Sequence, residues 1–263
     1  MRRVLTAPKP DTLIIEAGSA NVRIVVDELR KKNVEATLDA SGSHFEEAVN
    51  KATLVGNTLT VPAITGGVVT GGVVTGGKVI SGADDIRDNI SFGTIFGSVV
   101  IGNGNRITSV GGRTVVNGRA AGTATGHMTV IVRIPQGLRV TAKIRSGDIT
   151  ASGLLTNADL HTSGGDILVD NVDGTTVLKT EGGDVVIDNT SGVLNATTSG
   201  GNVTARRVTD DAALKTLGGN IYAHADNPNE LSATTSGGDI TISGHYGPGT
   251  VTASTSCGSV HFS

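Results

Sequence analysis

The run TSGGDILV at residues 162–169 is the strongest indication of the fold, because close copies of it follow at a nearly fixed interval. The copies are TEGGDVVI (180–187), TSGGNVTA (198–205), TLGGNIYA (216–223) and TSGGDITI (235–242). A shorter phrase, Gly followed by Asp, Asn or Ser and then Ile or Val, marks Gly147, Gly165, Gly183, Gly201, Gly219, Gly238 and Gly258. The intervals are 18, 18, 18, 18, 19 and 20 residues. This period predicts a solenoid in which each coil buries its apolar face against its neighbours.

Each repeat carries two short strands separated by a Ser-Gly-Gly corner. Small aliphatic residues follow the repeated glycine by two and four positions, as Ile167 and Val169 follow Gly165. Others precede it by seven and five positions, as Ala158 and Leu160 do. Such alternation is typical of strands that bury one face. We expect the corner glycines to be needed because glycine tolerates positive φ. The sequence therefore predicts an all-β fold, a parallel β-solenoid with coils of about 18 residues.

A threonine stands three residues before the repeated glycine in each of the last six repeats. These residues are Thr162, Thr180, Thr198, Thr216, Thr235 and Thr255. In register, they would form a stacked column of β-branched side chains that carry hydroxyl groups. We interpret this column as a structural ladder.

The 263-residue chain divides into three predicted parts. Residues 1–64 alternate as strands do, with one helical turn at 44–50, and predict an N-terminal β cap that closes the end of the solenoid. Residues 65–126 begin with TGGVV at 65–69 and again at 70–74, and predict a Gly/Val-rich β insertion. Residues 127–263 contain the seven solenoid repeats.

Two interpretations of the insertion stay open. It could be a flexible linker, although linkers seldom carry so many β-branched residues. We favour ordered β structure that intertwines with copies from other chains and so serves as an oligomerisation segment. The contact candidates in this segment are Val68, Val69, Val73, Val74, Phe92, Ile95 and Phe96.

The solenoid part carries a family pattern. IPQG (134–137) is followed by VTAKIRSGDI (140–149) and then by the SGGDI-type repeats. This order resembles the putative-adhesin β-solenoid domain of bacteria over residues 129–263, and AGSANVRI (17–24) resembles the usual opening of that family. The resemblance implies a parallel β-solenoid and, by the family's name, surface adhesion. Residues 65–126 have no counterpart in the pattern, so we expect them to be an insertion.

The residues after the repeated glycines offer a candidate metal site. Four of them are carboxylates, Asp148, Asp166, Asp184 and Asp239, and a column of carboxylates could bind Ca²⁺. Asn202, Asn220 and Ser259 interrupt the column, and the second Gly-x-Asp pair of the calcium-binding nonapeptide repeat is missing. We therefore favour capping of each corner by its Asp or Asn side chain over calcium binding.

Composition and motifs argue against several other functions. The chain has 38 glycines, 2% aromatic residues and a net charge of −3. Its basic residues are scattered, whereas proteins that bind nucleic acid usually carry a clustered basic surface. Its one cysteine, Cys257, cannot form an internal disulfide. The six histidines occupy different phases of the repeat, and the common nucleophile, phosphate-loop and zinc motifs are missing. We expect no enzyme activity, no cofactor and no metal.

The two ends of the chain complete the prediction. MRRVLTAPKPDTL (1–13) lacks the apolar run of a signal peptide, and no 18-residue apolar stretch could span a membrane, so we expect a cytoplasmic or virion location. Val260 and Phe262 continue the last strand, and the chain stops at Ser263 without a capping helix. Such an edge invites pairing, which makes Phe262 a further oligomerisation candidate.

Two functional hypotheses follow. In the first, the protein is a non-catalytic structural β-solenoid that forms a homo-oligomer and builds or decorates a larger assembly. A bacteriophage virion would be such an assembly, with a capsid or tail protein as partner and the chain as capsid decoration, fibre or spike. In the second, it is a bacterial adhesin-like binding module that holds a protein or glycan on its Thr or Asp ladder. A defined oligomer in the absence of ligand would favour the first hypothesis.

Overall fold

The structure, a computed structural model, describes residues 1–29, 32–63 and 127–263, and between residues 64 and 126 only the backbone of six short strands. The chain forms two compact units. The first contains Met1–Ser41, Glu46–Ala63 and His127–Ser263. The second contains Gly42–Phe45 and Ile64–Gly126.

The described residues up to Ala63 form six strands and one helix. The strands are β1 (Arg2–Pro8), β2 (Thr12–Ser19), β3 (Asn21–Asp27), β4 (Asn33–Ser41), β5 (Thr53–Val55) and β6 (Thr58–Val61). The helix, α1, spans Ser43–Lys51. No helix among the described residues has the length and apolar character needed to cross a membrane.

In the second unit the structure describes six short strands. They are β7 (Val74–Thr75), β8 (Ile95–Phe96), β9 (Ser98–Ile101), β10 (Asn105–Val110), β11 (Arg113–Val116) and β12 (Arg119–Ala120). Strands β9 to β12 form an antiparallel sheet, and β7 pairs with β8 in parallel.

The repeats supply the remaining strands of the first unit. They are β13 (His127–Pro135), β14 (Arg139–Ser146), β15 (Ile149–Thr162), β16 (Ile167–Thr180), β17 (Val185–Thr190), β18 (Leu194–Thr197), β19 (Val203–Val208), β20 (Ala212–Lys215), β21 (Ile221–Asp226), β22 (Glu230–Thr235), β23 (Ile240–His245), β24 (Thr250–Thr255) and β25 (Val260–Phe262).

These strands stack into two faces. Face A runs in the order β1, β4, β13, β3, the first parts of β15 and β16, β17, β19, β21, β23 and β25. Face B runs in the order β5, β6, β2, β14, the second parts of β15 and β16, β18, β20, β22 and β24. Within the described strands of these two faces, the antiparallel pairs are β1–β4, β4–β13 and β5–β6, and the others are parallel. The predicted parallel β-solenoid is therefore confirmed.

The N-terminal strands are built into the stack. Strand β2 pairs with β14 on face B, and β3 pairs with β15 on face A, both in parallel. The turn between β2 and β3 is joined to the first repeat corner, where the Ala20 N–H donates to the Ser146 carbonyl at 3.0 Å. The β2–β3 pair thus adds a coil ahead of the first repeat.

The core is a stack of small aliphatic residues, as the alternation predicts. Ile167, Val185 and Val203 lie on one another on face A, and Leu178 lies on Ala196 on face B. All five are buried. Because each coil is narrow, burial comes from the coils above and below it, which explains why the pattern must recur in register.

Candidate functional site

The repeated corner is held by threonine hydroxyls. The Thr198 Oγ1 donates to the Gly183 carbonyl of the preceding coil at 2.7 Å, and the Gly201 N–H donates to Thr198 Oγ1 at 3.2 Å. The bond to the preceding glycine carbonyl recurs at Thr162, Thr180, Thr216, Thr235 and Thr255. The first five threonines of the column are buried. The Thr ladder therefore joins coil to coil inside the stack and offers little surface to a partner.

The second glycine of each corner is required by close approach. A Cβ on Gly201 would overlap the carbonyl oxygen of Gly183, and a Cβ on Gly183 would overlap that of Gly165. Gly147 has φ of +121°, but no Gly-Gly corner from Gly164 to Gly238 has positive φ. The expectation that the corner glycines serve by tolerating positive φ is therefore wrong for these Gly-Gly pairs. Glycine is needed because the coils touch there through their backbones.

The Asp and Asn residues form a second ladder along the same corner. The Asp184 N–H donates to Asp166 Oδ1 at 2.8 Å, and the Asn202 N–H donates to Asp184 Oδ1 at 2.7 Å. The same bond runs from Asp148 to Asn21, Asp166 to Asp148, Asn220 to Asn202, Asp239 to Asn220 and Ser259 to Asp239. Each side chain thus caps the corner of the next coil.

The four Asp residues that were candidates for calcium binding take part in this corner capping. Asp148, Asp166, Asp184 and Asp239 each already use one carboxylate oxygen on a backbone N–H. Ca²⁺ needs six to eight oxygen ligands. Within the part of the chain that the structure describes, no three His, Cys, Asp or Glu side chains gather where they could hold a metal ion. The geometry supports corner capping by Asp and Asn side chains.

Substitution of Asp184 separates capping from calcium binding. We expect Asp184→Asn to leave the free energy of unfolding within about 0.5 kcal/mol of the wild type, because the amide oxygen still accepts the Asn202 N–H. Asp184→Ala should cost about 1 to 2 kcal/mol, because that N–H loses its acceptor. Both changes can be measured by urea unfolding. A thermal midpoint that about 10 mM Ca²⁺ raises in the wild type but not in Asp184→Asn would instead identify a calcium site.

The described histidine side chains are dispersed, as their phases in the repeat predict. His127 Nδ1 lies 2.9 Å from Ser41 Oγ, and His224 Nδ1 lies 3.1 Å from Ser243 Oγ. His161 Nε2 lies 2.6 Å from Asp159 Oδ1 on face B.

A groove on the outer side of face B was not predicted from the sequence. It has a volume of about 520 Å³, and Lys143, His161 and Lys179 lie along it. Residues 60–63, at the end of β6 and just beyond it, line it as well. The signal that could have revealed it is the recurrence of lysine at 143, 179 and 215, every second coil of the repeat.

The last coil leaves its apolar residues uncovered. Val260 is 39% exposed and Phe262 47% exposed, whereas Ile240 and Ile242, their equivalents one coil earlier, are fully buried. Phe262 packs edge-on against Tyr246, with ring centroids 6.0 Å apart. Strands β24 and β25 each pair on one side only within the described part of the chain. The last coil therefore combines exposed apolar side chains with two strand edges that have no partner strand among the described residues.

The other predicted oligomerisation contacts cannot be placed in the same way. Val68, Val69, Val73 and Phe92 lie outside the described residues. For Val74, Ile95 and Phe96 the backbone is described, and Val74 pairs with Ile95 in the β7–β8 ladder. The role of this segment in oligomerisation stays a prediction.

Comparisons with known proteins extend these observations. The sequence profile described as Toastrack DUF4097 matches residues 103–263. No curated protein matches the chain. Similar solved structures include a putative adhesin from Bacteroides fragilis, at 12% identity and a TM-score of 0.47, covering 100% of this chain and 97% of that chain. A putative lipid binding protein from Parabacteroides distasonis has 15% identity and a TM-score of 0.38, covering 100% and 96%.

The profile match spans more than half of the chain and includes every repeat corner from Gly147 to Gly258. These corners carry the Thr ladder and the ladder of Asp and Asn residues. The same corners are the basis of the predicted resemblance to a bacterial β-solenoid family. That prediction is confirmed, and the chain belongs to the Toastrack DUF4097 family.

Proposed function

We propose that the protein is a non-catalytic scaffold that joins to a second copy of itself through its last coil. The observation that carries the proposal is the exposure of Val260 and Phe262, at positions where the preceding coil has fully buried residues. Because each of these side chains is already more than half buried, covering its exposed part contributes about 1 kcal/mol. Covering them with a second copy would extend the apolar stack from one chain into the next.

The strand edges favour a two-fold arrangement. Among the described residues, β24 and β25 each have a partner strand on one side only, and two copies of such an edge can pair antiparallel about a two-fold axis. A two-fold contact is closed, because each copy uses the same surface, and so it gives a dimer and not a fibre. In this arrangement the outer sides of faces A and B stay available to other partners.

Such a dimer suits either predicted setting. Two joined solenoids present each lateral surface twice, which strengthens attachment to a repetitive partner without new contacts. A building or decorating element of a larger assembly, such as a bacteriophage virion, would use this property. An adhesin-like module on a bacterial surface would use it equally.

The test is the mass of the protein in solution, measured by light scattering on a sizing column. We expect a dimer for the full chain and a monomer for Val260→Glu, because the variant places a charge in the proposed contact. Leu168→Glu is the matched control: Leu168 is 41% exposed, close to the 39% of Val260, but lies in mid-stack on face A. The control should remain a dimer. A monomeric wild type, or the same mass for both variants, would refute the proposal.

A further inference from the structure

A row of three lysines runs along the outer side of face B. The register places Lys143 beside His161, His161 beside Lys179, Lys179 beside Thr197 and Thr197 beside Lys215. The lysines therefore recur on every second coil. Since neighbouring strands lie about 4.8 Å apart, successive lysines stand roughly 10 Å apart along the solenoid axis.

The three ammonium groups are available to a ligand. All three lysines are exposed, and none makes an ion pair or a side-chain hydrogen bond with the residues that the structure describes. His161 and Thr197 lie between the lysines, and Thr234 and Ser254 continue the column beyond Lys215. At the other end, Glu16 lies beside Lys143 and carries the one opposite charge of the column among the described residues. The row thus alternates between a positive charge and a group that can form hydrogen bonds.

The row begins in the groove of about 520 Å³. Arg145 adds a further positive charge there, and the carboxylates of Glu16 and Glu181 also line the groove. Residues 60–63 form part of its lining beside the lysines. A linear ligand in this groove would contact both residues 60–63 and the lysine row, and could continue along the column towards Lys215.

The spacing of the charges indicates the kind of ligand. Duplex DNA carries one negative charge per about 1.7 Å of its axis, far denser than a row with one lysine per two coils. Single-stranded nucleic acid is usually held by aromatic side chains, and the column contains none among its described residues. In an extended polysaccharide with one acidic group per disaccharide, the distance between successive charges is similar to the distance of roughly 10 Å between successive lysines. Its hydroxyl groups would meet His161 and Thr197.

We propose that the lysine row binds a linear acidic polysaccharide laid along the solenoid axis, with successive anionic groups at Lys143, Lys179 and Lys215. Because the site is exposed and built on charge, binding weakens as salt rises. Attachment to one row is weak, and a protein with two rows binds a long polysaccharide more tightly than a short one.

Titration of the 263-residue chain with hyaluronan oligosaccharides tests the proposal, since this polymer has one carboxylate per disaccharide. We expect saturable binding that the triple variant Lys143→Gln/Lys179→Gln/Lys215→Gln weakens by about a hundredfold, at roughly fivefold for each lysine. The matched control, Lys9→Gln/Arg23→Gln/Arg206→Gln, removes the same charge away from the row and should bind as the wild type does. Methyl-esterified hyaluronan, which is neutral, should not bind.

Each contrary result would overturn the proposal. Equal weakening in the two triple variants would mean that binding follows net charge alone. Tighter binding of single-stranded DNA than of hyaluronan would assign the row to nucleic acid. No binding of hyaluronan by the wild type would leave the row as an ordinary solvated surface. Val260→Glu should still bind short oligosaccharides, so failure of the dimer proposal and failure of this one give different results.

Discussion

Replacing Gly201 by alanine is expected to lower the free energy of unfolding by about 4 kcal/mol or more. The added Cβ would overlap the backbone carbonyl of Gly183, and backbone in a stacked coil cannot move aside as the end of a flexible side chain can. Relief would require the two coils to separate, which would also stretch the Thr198 and Asn202 bonds to the preceding coil. Urea unfolding followed by circular dichroism measures the loss.

The neighbouring glycine provides the control for this prediction. A Cβ on Gly200 would lie 3.6 Å from the carbonyl oxygens of Glu181 and Gly182, an ordinary contact, and Gly200 is exposed. We expect Gly200→Ala to change stability by no more than about 0.5 kcal/mol. If the two alanine variants lost the same stability, the corner would be sensitive to any loss of glycine, and close approach would not be the cause.

Replacing Thr198 by valine is expected to cost about 3 kcal/mol. Valine has nearly the same shape but cannot bond the Gly183 carbonyl or accept the Gly201 N–H, so two groups at a buried site lose their partner. The same change at Thr176 should have the opposite sign. Thr176 is also fully buried, but its hydroxyl has no hydrogen-bond partner within the described part of the chain. Thr176→Val should therefore stabilise the protein by about 1 kcal/mol.

Urea midpoints of the two valine variants decide between two accounts of the threonines. If only the branched shape of the side chain mattered, both substitutions would be neutral or stabilising, since valine is as good a strand former as threonine. If the hydroxyl joins the coils, Thr198→Val loses stability and Thr176→Val gains it.

The repeat made the solenoid predictable, because stacking in register leaves little freedom once a coil length near 18 residues is known. The alternation around Gly165 identified which residues point inward, and the Asp and Asn positions suggested corner capping. The reason for glycine was harder to see. A glycine at a turn is compatible with positive φ or with close approach, and only the position of the neighbouring coil distinguishes the two.

The surfaces were less predictable than the core. The groove depends on residues 60–63 lying beside Lys143 and Lys179, and it is brought together by the pairing of β6 with β2 and of β2 with β14. Such pairings link segments far apart in the chain, and no local pattern specifies them. The lysine row was visible at a 36-residue interval, but its meaning required knowing that Lys143, Lys179 and Lys215 point outward on one face.

The repeated Thr, Gly, Asp and Asn residues hold one coil to the next, which leaves the outer surfaces for binding. Amide hydrogen exchange, measured by NMR with and without Ca²⁺, shows whether the corners have this structural role. The amides of Asp166, Asp184, Asn202, Asn220 and Asp239 should exchange far more slowly than in an unfolded chain, because each is bonded to the preceding coil. Their resonances should not move when Ca²⁺ is added. Fast exchange at these amides, or shifts on adding Ca²⁺, would contradict the claim and make the corner a ligand site.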